Sequence, residues 1–164
     1  MLSSSNQSQE SRVPAKTLYF AYGSNLHDWK HDRRLAGLLK PVRRAVLPDH
    51  ELGFNRYSST RKSGVLNIVP CDGQSVTGWL FEIVGDEGWA ALDAKEGAPS
   101  CYQRVEKVVL DEGGQEFTVI TYEVTSQQFK AFEKPSDSYL IVVREGYKAF
   151  GIDTKELEFA ARGV

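Results

Sequence analysis

The chain has no uninterrupted apolar run near the ~18–20 residues that a membrane-spanning helix needs, so no helical span is expected. Cysteine is scarce. Cys71 and Cys101 are too few for a disulfide framework and read as small, semi-buried free thiols. Charge of one sign is not in excess either: twenty Lys and Arg oppose twenty-two Asp and Glu, a net −2 that gives no overall pull toward nucleic acid or acidic lipid. Common signatures of nucleophile, nucleotide and metal chemistry are missing: no G-x-S-x-G, Walker A loop, G-x-G-x-x-G or H-E-x-x-H is present. An export signal would need a basic start and a roughly 7–15-residue apolar stretch, and neither opens the sequence. With two free thiols, that leads to the expectation of a cytoplasmic protein.

What is present is an ordinary soluble composition, 41% hydrophobic and 26% charged over 164 residues, the length of one domain. Residues 1–15, opening MLSSSNQSQESR, carry almost no apolar side chains and read as a flexible polar tail ahead of a single domain over 16–164. An aromatic-rich strand over 17–22 runs into Gly23-Ser24-Asn25, where Asn25 can cap a helix reaching Leu39 before Pro41. Four strands are expected over 42–47, 51–57, 65–69 and 76–84, with Pro48, residues 58–64 and Asp72-Gly73 as turn chemistry between them. A short helix from Asp86 stops at Gly97. Strands over 102–110 and 115–124 flank the hairpin signal Asp111-Glu112-Gly113-Gly114. Helices follow over 137–150 and 153–161. The fold class is α+β: a small mixed or antiparallel, barrel-like sheet with flanking helices.

Two local features suggest function but have plainer explanations. His27 and His31 are four apart on the first helix, yet the sequence points to no further ligands, so no metal site is assigned. Lys30, Arg33, Arg34, Lys40, Arg43 and Arg44 outnumber Asp28 and Asp32, but the run lacks interleaved aromatics and the segment from Glu82 to Glu123 is acidic. The histidine pair reads as a solvated helix face, an internal charge dipole or a self-association surface accounts for the charge pattern, and no nucleic-acid partner is expected.

Chemistry is better placed in two other features. In the Tyr22-Gly23-Ser24-Asn25 turn, Gly23 lets the backbone approach a ligand, and outward amides at a helix start suit a carboxylate or phosphate. Trp89, Leu92 and Glu96 share a helix face, which puts a carboxylate inward at a helix C-terminus. Burial and the dipole should both raise its pKa, making Glu96 a general-base candidate.

The two features, with a third, resemble the γ-glutamylcyclotransferases. LYFAYGSNL from Leu18 to Leu26 fits the family's loop after its first strand. Leu92, Asp93, Glu96, Gly97 and Tyr102 fit its Leu-Asp-x-x-Glu-Gly segment with a downstream tyrosine, and Pro135, Ser136 and Tyr139 its later Pro-Ser-x-x-Tyr. The resemblance implies a curved-sheet barrel, no cofactor and a small-molecule γ-glutamyl substrate. It also implies a binding loop of Tyr19, Phe20, Ala21, Tyr22, Gly23, Ser24 and Asn25, Glu96 as base, Tyr139 as a substrate contact, and a homodimer. The implied reaction closes the γ-glutamyl group to 5-oxoproline and frees the attached amino acid or amine. Two departures stand out: Cys101 replaces a glycine often found before that tyrosine, and Asn25 replaces the leucine of the glutathione-specific branch. Intact glutathione is therefore a less favoured substrate. The alternatives are a non-catalytic member of the fold that binds an acidic metabolite or a protein, and an amide hydrolase centred on Ser24.

Overall fold

The computed structural model describes residues 13–14 and 16–163. Apart from residues 13 and 14, the tail expected over 1–15 lies outside the described residues. The elements run β1 (Tyr19–Ala21), α1 (Asn25–His31), β2 (Leu39–Ser58), β3 (Ser63–Ile83), α2 (Gly85–Glu96), β4 (Tyr102–Leu110), β5 (Glu116–Val124), α3 (Asp137–Ala149) and α4 (Lys155–Ala161). The strands close into a barrel in the order β1-β3-β2-β4-β5, with β1 antiparallel to β3 and parallel to β5. The sheet is thus mixed, barrel-like and flanked by helices, in agreement with the expected fold class.

From α2 onward the elements lie within two residues of their expected bounds. Earlier there are two corrections. The four strands expected between 42 and 84 are two long ones, because β2 passes through Pro48 and β3 through Asp72-Gly73. Pro48 pairs with Ser75 and His50 with Pro70, so Asp49 alone faces residues 71–74. That bulge absorbs the turn residues: Asp49 takes a positive φ of 57° and its Oδ1 accepts from the Gly73 amide at 3.0 Å. Pro41 also sits at a register shift, where its missing N–H breaks no continuous ladder.

The second correction is the first helix, which ends at His31 rather than Leu39. Asp32 turns extended, and its carboxylate accepts from the Arg34 amide at 2.8 Å and from the Arg34 guanidinium at 2.8 and 3.1 Å. A local acceptor of this kind competes with helix propagation. Leu35 and Leu39 still reach the core, one from the following turns and the other from the start of β2.

Two contacts fix the site's framework. Gly146 of α3 lies against α1 so closely that a Cβ there would sit 2.8 Å from the His27 nitrogen. Arg43 pairs with Asp111 at 3.1 Å, and Arg44 lies 3.9 Å from Glu112, so the basic segment meets the acidic hairpin. Cys71 and Cys101 are free and half-buried. Among the described residues no helix is long and apolar enough to cross a membrane.

Candidate active site

β1 carries the chain to Tyr22, and the following turn enters α1. The first helical bonds run from Leu26 to the Gly23 carbonyl at 3.1 Å, and from His27 and Asp28 to the Ser24 carbonyl at 3.0 and 2.9 Å. The amides of Gly23, Ser24 and Asn25 precede that ladder and are the turn's available donors. With α1 only seven residues long, these oriented amides matter more than any summed helix dipole.

Opposite stands the end of α2. Trp89 and Leu92 are buried, Glu96 follows on the same face, and Gly97 stops the helix with a left-handed φ of 65°. Asn25 Nδ2 donates to Glu96 Oε1 at 3.3 Å and to the Tyr19 hydroxyl at 2.9 Å. Its Oδ1 is buried and meets no hydrogen-bond partner among the described residues. The Pro135-Ser136-x-x-Tyr139 segment also has a structural reason. Ser136 caps α3 by accepting from the Tyr139 amide at 3.1 Å, which sets Tyr139 in the first turn. The Tyr139 hydroxyl then accepts from the Leu66 amide at 3.1 Å.

These groups surround a cavity of about 30 Å³. Ser24, Glu96, Tyr102 and Tyr139 also border a wider cleft of about 500 Å³, which makes the cavity its inner recess. Of the residues expected at a site, Tyr19, Tyr22, Gly23, Ser24, Asn25, Glu96 and Tyr139 line the cavity. Phe20 and Ala21 do not; both are fully buried in the hydrophobic core. Leu66, Tyr102 and Tyr122 complete the lining and were missed, although Tyr102 belongs to the Glu96 motif. Arg56, Arg61, Lys95 and Asp28 on the cleft were missed too. Arg61 falls in the 58–64 turn, whose sequence marks a loop but not the direction of its side chains.

Burial pushes Glu96 above the ordinary carboxylate value, and the opposing pull of Lys95, Arg61 and Arg56 does not cancel it. Burial also raises Tyr19, Tyr22, Tyr102 and Tyr122, and pushes Tyr139 up to about 12, so all five remain neutral phenols. Tyr22 donates to the Tyr122 carbonyl, Tyr102 to the Leu66 carbonyl and Tyr122 to Asp93, each at 2.6 Å. Tyr19 and Tyr139 line the cavity and accept hydrogen bonds but donate to no described residue, so each hydroxyl keeps a proton to give. Asp93, also paired with Arg104 at 2.8 Å, thus ties α2 to β4 and β5.

Asp28 anchors the cleft wall. Burial would raise it, but Lys95 at 3.2 Å, His27 at 3.1 Å and Arg61 at 2.8 Å hold its carboxyl below the usual range. Arg61 also donates to Ser24 Oγ at 3.3 Å and lies over the Tyr139 ring. His27 stacks on His31 with ring centres 4.3 Å apart. The described residues contain no group of three or more His, Cys, Asp or Glu side chains arranged to hold a metal ion.

The closed five-stranded barrel with flanking helices agrees with the curved-sheet barrel that the sequence resemblance implied. Family comparison makes this specific: the chain belongs to the gamma-glutamyl cyclotransferase, AIG2-like family, whose model matches residues 19–141. It is 31% identical over 141 residues to a bovine gamma-glutamylcyclotransferase, covering 82% of this chain and 72% of that one. A solved gamma-glutamyl cyclotransferase superposes with a TM-score of 0.74 at 28% identity, over 90% of this chain and 85% of its own. A yeast gamma-glutamyl cyclotransferase specific to glutathione, 12% identical with a TM-score of 0.63 over 90% of this chain and 95% of its own, shares the fold.

Proposed function

We propose that this protein cyclises the γ-glutamyl group of a γ-glutamyl amino acid or amine to 5-oxoproline and releases the free amino acid or amine, with Glu96 as general base. The observation that carries this reading is the raised Glu96 carboxylate beside Asn25, in a recess that also holds the Gly23–Ser24 turn and the Tyr19 and Tyr139 hydroxyls. Asn25 Oδ1 and Glu96 are acceptors suited to the substrate's α-ammonium. The Gly23 and Ser24 amides and the Tyr19 and Tyr139 hydroxyls suit its α-carboxylate and γ-carbonyl oxygens.

Glu96 takes one proton from the α-ammonium. The freed amine attacks the γ-carbonyl carbon, a five-membered ring C–N bond forms, and the original amide C–N bond breaks as the departing amine takes the proton back from Glu96. The ring nitrogen then gives its second proton to the re-ionised Glu96, which passes it to the released amine, so the products are a neutral lactam N–H and an ammonium. Both reactants sit in one molecule, and well-oriented cyclisations reach effective molarities of ~10⁵–10⁸ M, so folding the substrate is the main task. Against an ammonium near ~8, an ordinary glutamate at ~4.3 leaves the proton transfer about 5 kcal/mol uphill, and each unit by which Glu96 is raised removes about 1.4 kcal/mol. Ser24 Oγ accepts from Arg61 and no histidine lines the recess, which favours binding over nucleophilic attack as its role.

Incubation with γ-glutamyl dipeptides, γ-glutamyl amines and glutathione, followed by mass spectrometry, tests the proposal. 5-Oxoproline is expected from the wild-type protein, with turnover lost and substrate binding retained in Glu96→Gln. No 5-oxoproline across that panel would sink it, and ¹⁸O from water appearing in a glutamate product would indicate hydrolysis instead.

A further inference from the structure

Four cationic side chains border the outer cleft: Arg34, Arg56, Arg61 and Lys95. Arg34 is paired with Asp32 at 2.8 Å, and Arg61 and Lys95 share Asp28 at 2.8 and 3.2 Å. Arg56 has no carboxylate partner among the described residues, and its buried Nε has no hydrogen-bond acceptor. Its guanidinium lies 5.6 Å from the centre of the Tyr102 ring, a cation–π contact that positions the group while leaving its N–H donors free. Tyr102 borders both the inner recess and the cleft, so Arg56 stands where the recess opens outward. With Glu96 ionised, the cleft holds three carboxylates (Asp28, Asp32, Glu96) against these four cations, one positive charge in excess.

Resting on the cyclisation reading, in which the γ-glutamyl head fills the recess, the leaving part of the substrate must extend into this cleft. We infer that Arg56 is a specificity-determining residue that binds a carboxylate on the leaving part, so that the preferred substrates are γ-glutamyl amino acids with a free carboxylate rather than neutral or cationic γ-glutamyl amines. Arginine suits the task, since its planar fork takes a carboxylate through two parallel hydrogen bonds. An incoming carboxylate would supply the acceptors that the guanidinium lacks.

The test compares γ-glutamyl-alanine with γ-glutamyl-alaninamide, which differ only in the terminal charge. Wild-type kcat/KM should favour the acid by about 10- to 100-fold, the range for a charge-assisted hydrogen-bond pair. Arg56→Gln should bring that ratio to within a few-fold of one, and Arg56→Lys should restore part of it. Any influence of Arg56 on Glu96 acts on both substrates alike and cancels in the ratio. In parallel, calorimetry with glutaryl-alanine and glutaryl-alaninamide, which lack the attacking amine, reads the preference without turnover. An Arg56-dependent acid preference in binding with no 5-oxoproline from either substrate would sustain the Arg56 assignment and reject cyclisation. Turnover with an acid-to-amide ratio unchanged by Arg56→Gln would sustain cyclisation and overturn the assignment.

Discussion

Asn25 joins both halves of the site through one amide group: its nitrogen reaches Tyr19 and Glu96, and its oxygen stays unpartnered toward the recess. Because a carboxylate oxygen only accepts, the Glu96 contact fixes which end of the amide carries the N–H groups. Gly23 beside it gives a sharp test of crowding. Its φ is not left-handed, and an added Cβ would lie 3.6 Å from Leu66 and 4.0 Å from the Tyr139 hydroxyl, so alanine fits without a clash but intrudes on the recess. Gly23→Ala should leave the melting temperature nearly unchanged while lowering kcat/KM roughly tenfold or more, as expected when a methyl group enters a fitted pocket. A large loss of stability would instead give the glycine a folding role. The raised Glu96 sets a pH signature as well: a base must be ionised, so the acid limb of the wild-type kcat/KM profile should fall at a pH above the ordinary 4.5.

At the scale of elements, α1 holds the turn in place only because α3 lets it come close. A Cβ on Gly146 would lie 2.8 Å from the His27 nitrogen, the Leu26 carbonyl carbon and the Leu26 Cβ; two of these are backbone atoms, which cannot rotate away. Gly146→Ala should therefore cost ~1–3 kcal/mol in chemical denaturation, the range for overpacking, and raise KM as α1 shifts with its leading turn. The sequence made the later elements legible because their signals were local and unopposed: Gly97 at the end of α2, the Asp111-Glu112-Gly113-Gly114 hairpin, and the helical patterns over 137–150 and 153–161. It misled where tertiary pairing overrode local chemistry. Pro48 and Asp72-Gly73 carry turn residues, but the β2–β3 pairing stores them in a bulge. Asp32 ended α1 through a side-chain bond to Arg34 that a count of apolar spacing does not register. The same limit applied to the site. Glu96, Asn25 and Tyr139 lie in recognisable segments, whereas Arg56 and Arg61 reach the cleft only because the long β2–β3 hairpin brings them there.

For the molecule as a whole, the raised carboxylate at the centre of the site has a cost in stability whose sign can be worked out. A carboxyl group whose folded pKa exceeds its unfolded value holds its proton more tightly in the native state, so stability declines as pH rises from the unfolded value through the folded one. Asp28 works in the opposite direction. Held below its ordinary 3.8, it adds stability that is present above that value and lost as pH falls through its folded pKa. Wild-type stability should therefore fall on the acid side through Asp28 and lose some of its gain on the neutral side through Glu96. Glu96→Gln keeps the shape and an oxygen acceptor for Asn25 but removes the ionisation. Melting temperatures of the two proteins should nearly coincide below pH 4.5, and above it the variant should become progressively the more stable while remaining inactive. A wild-type protein that is the more stable at neutral pH would mean that Lys95, Arg61 and Arg56 stabilise the Glu96 anion more than burial opposes it. Its pKa would then lie below 4.5, and the case for a raised base would fail.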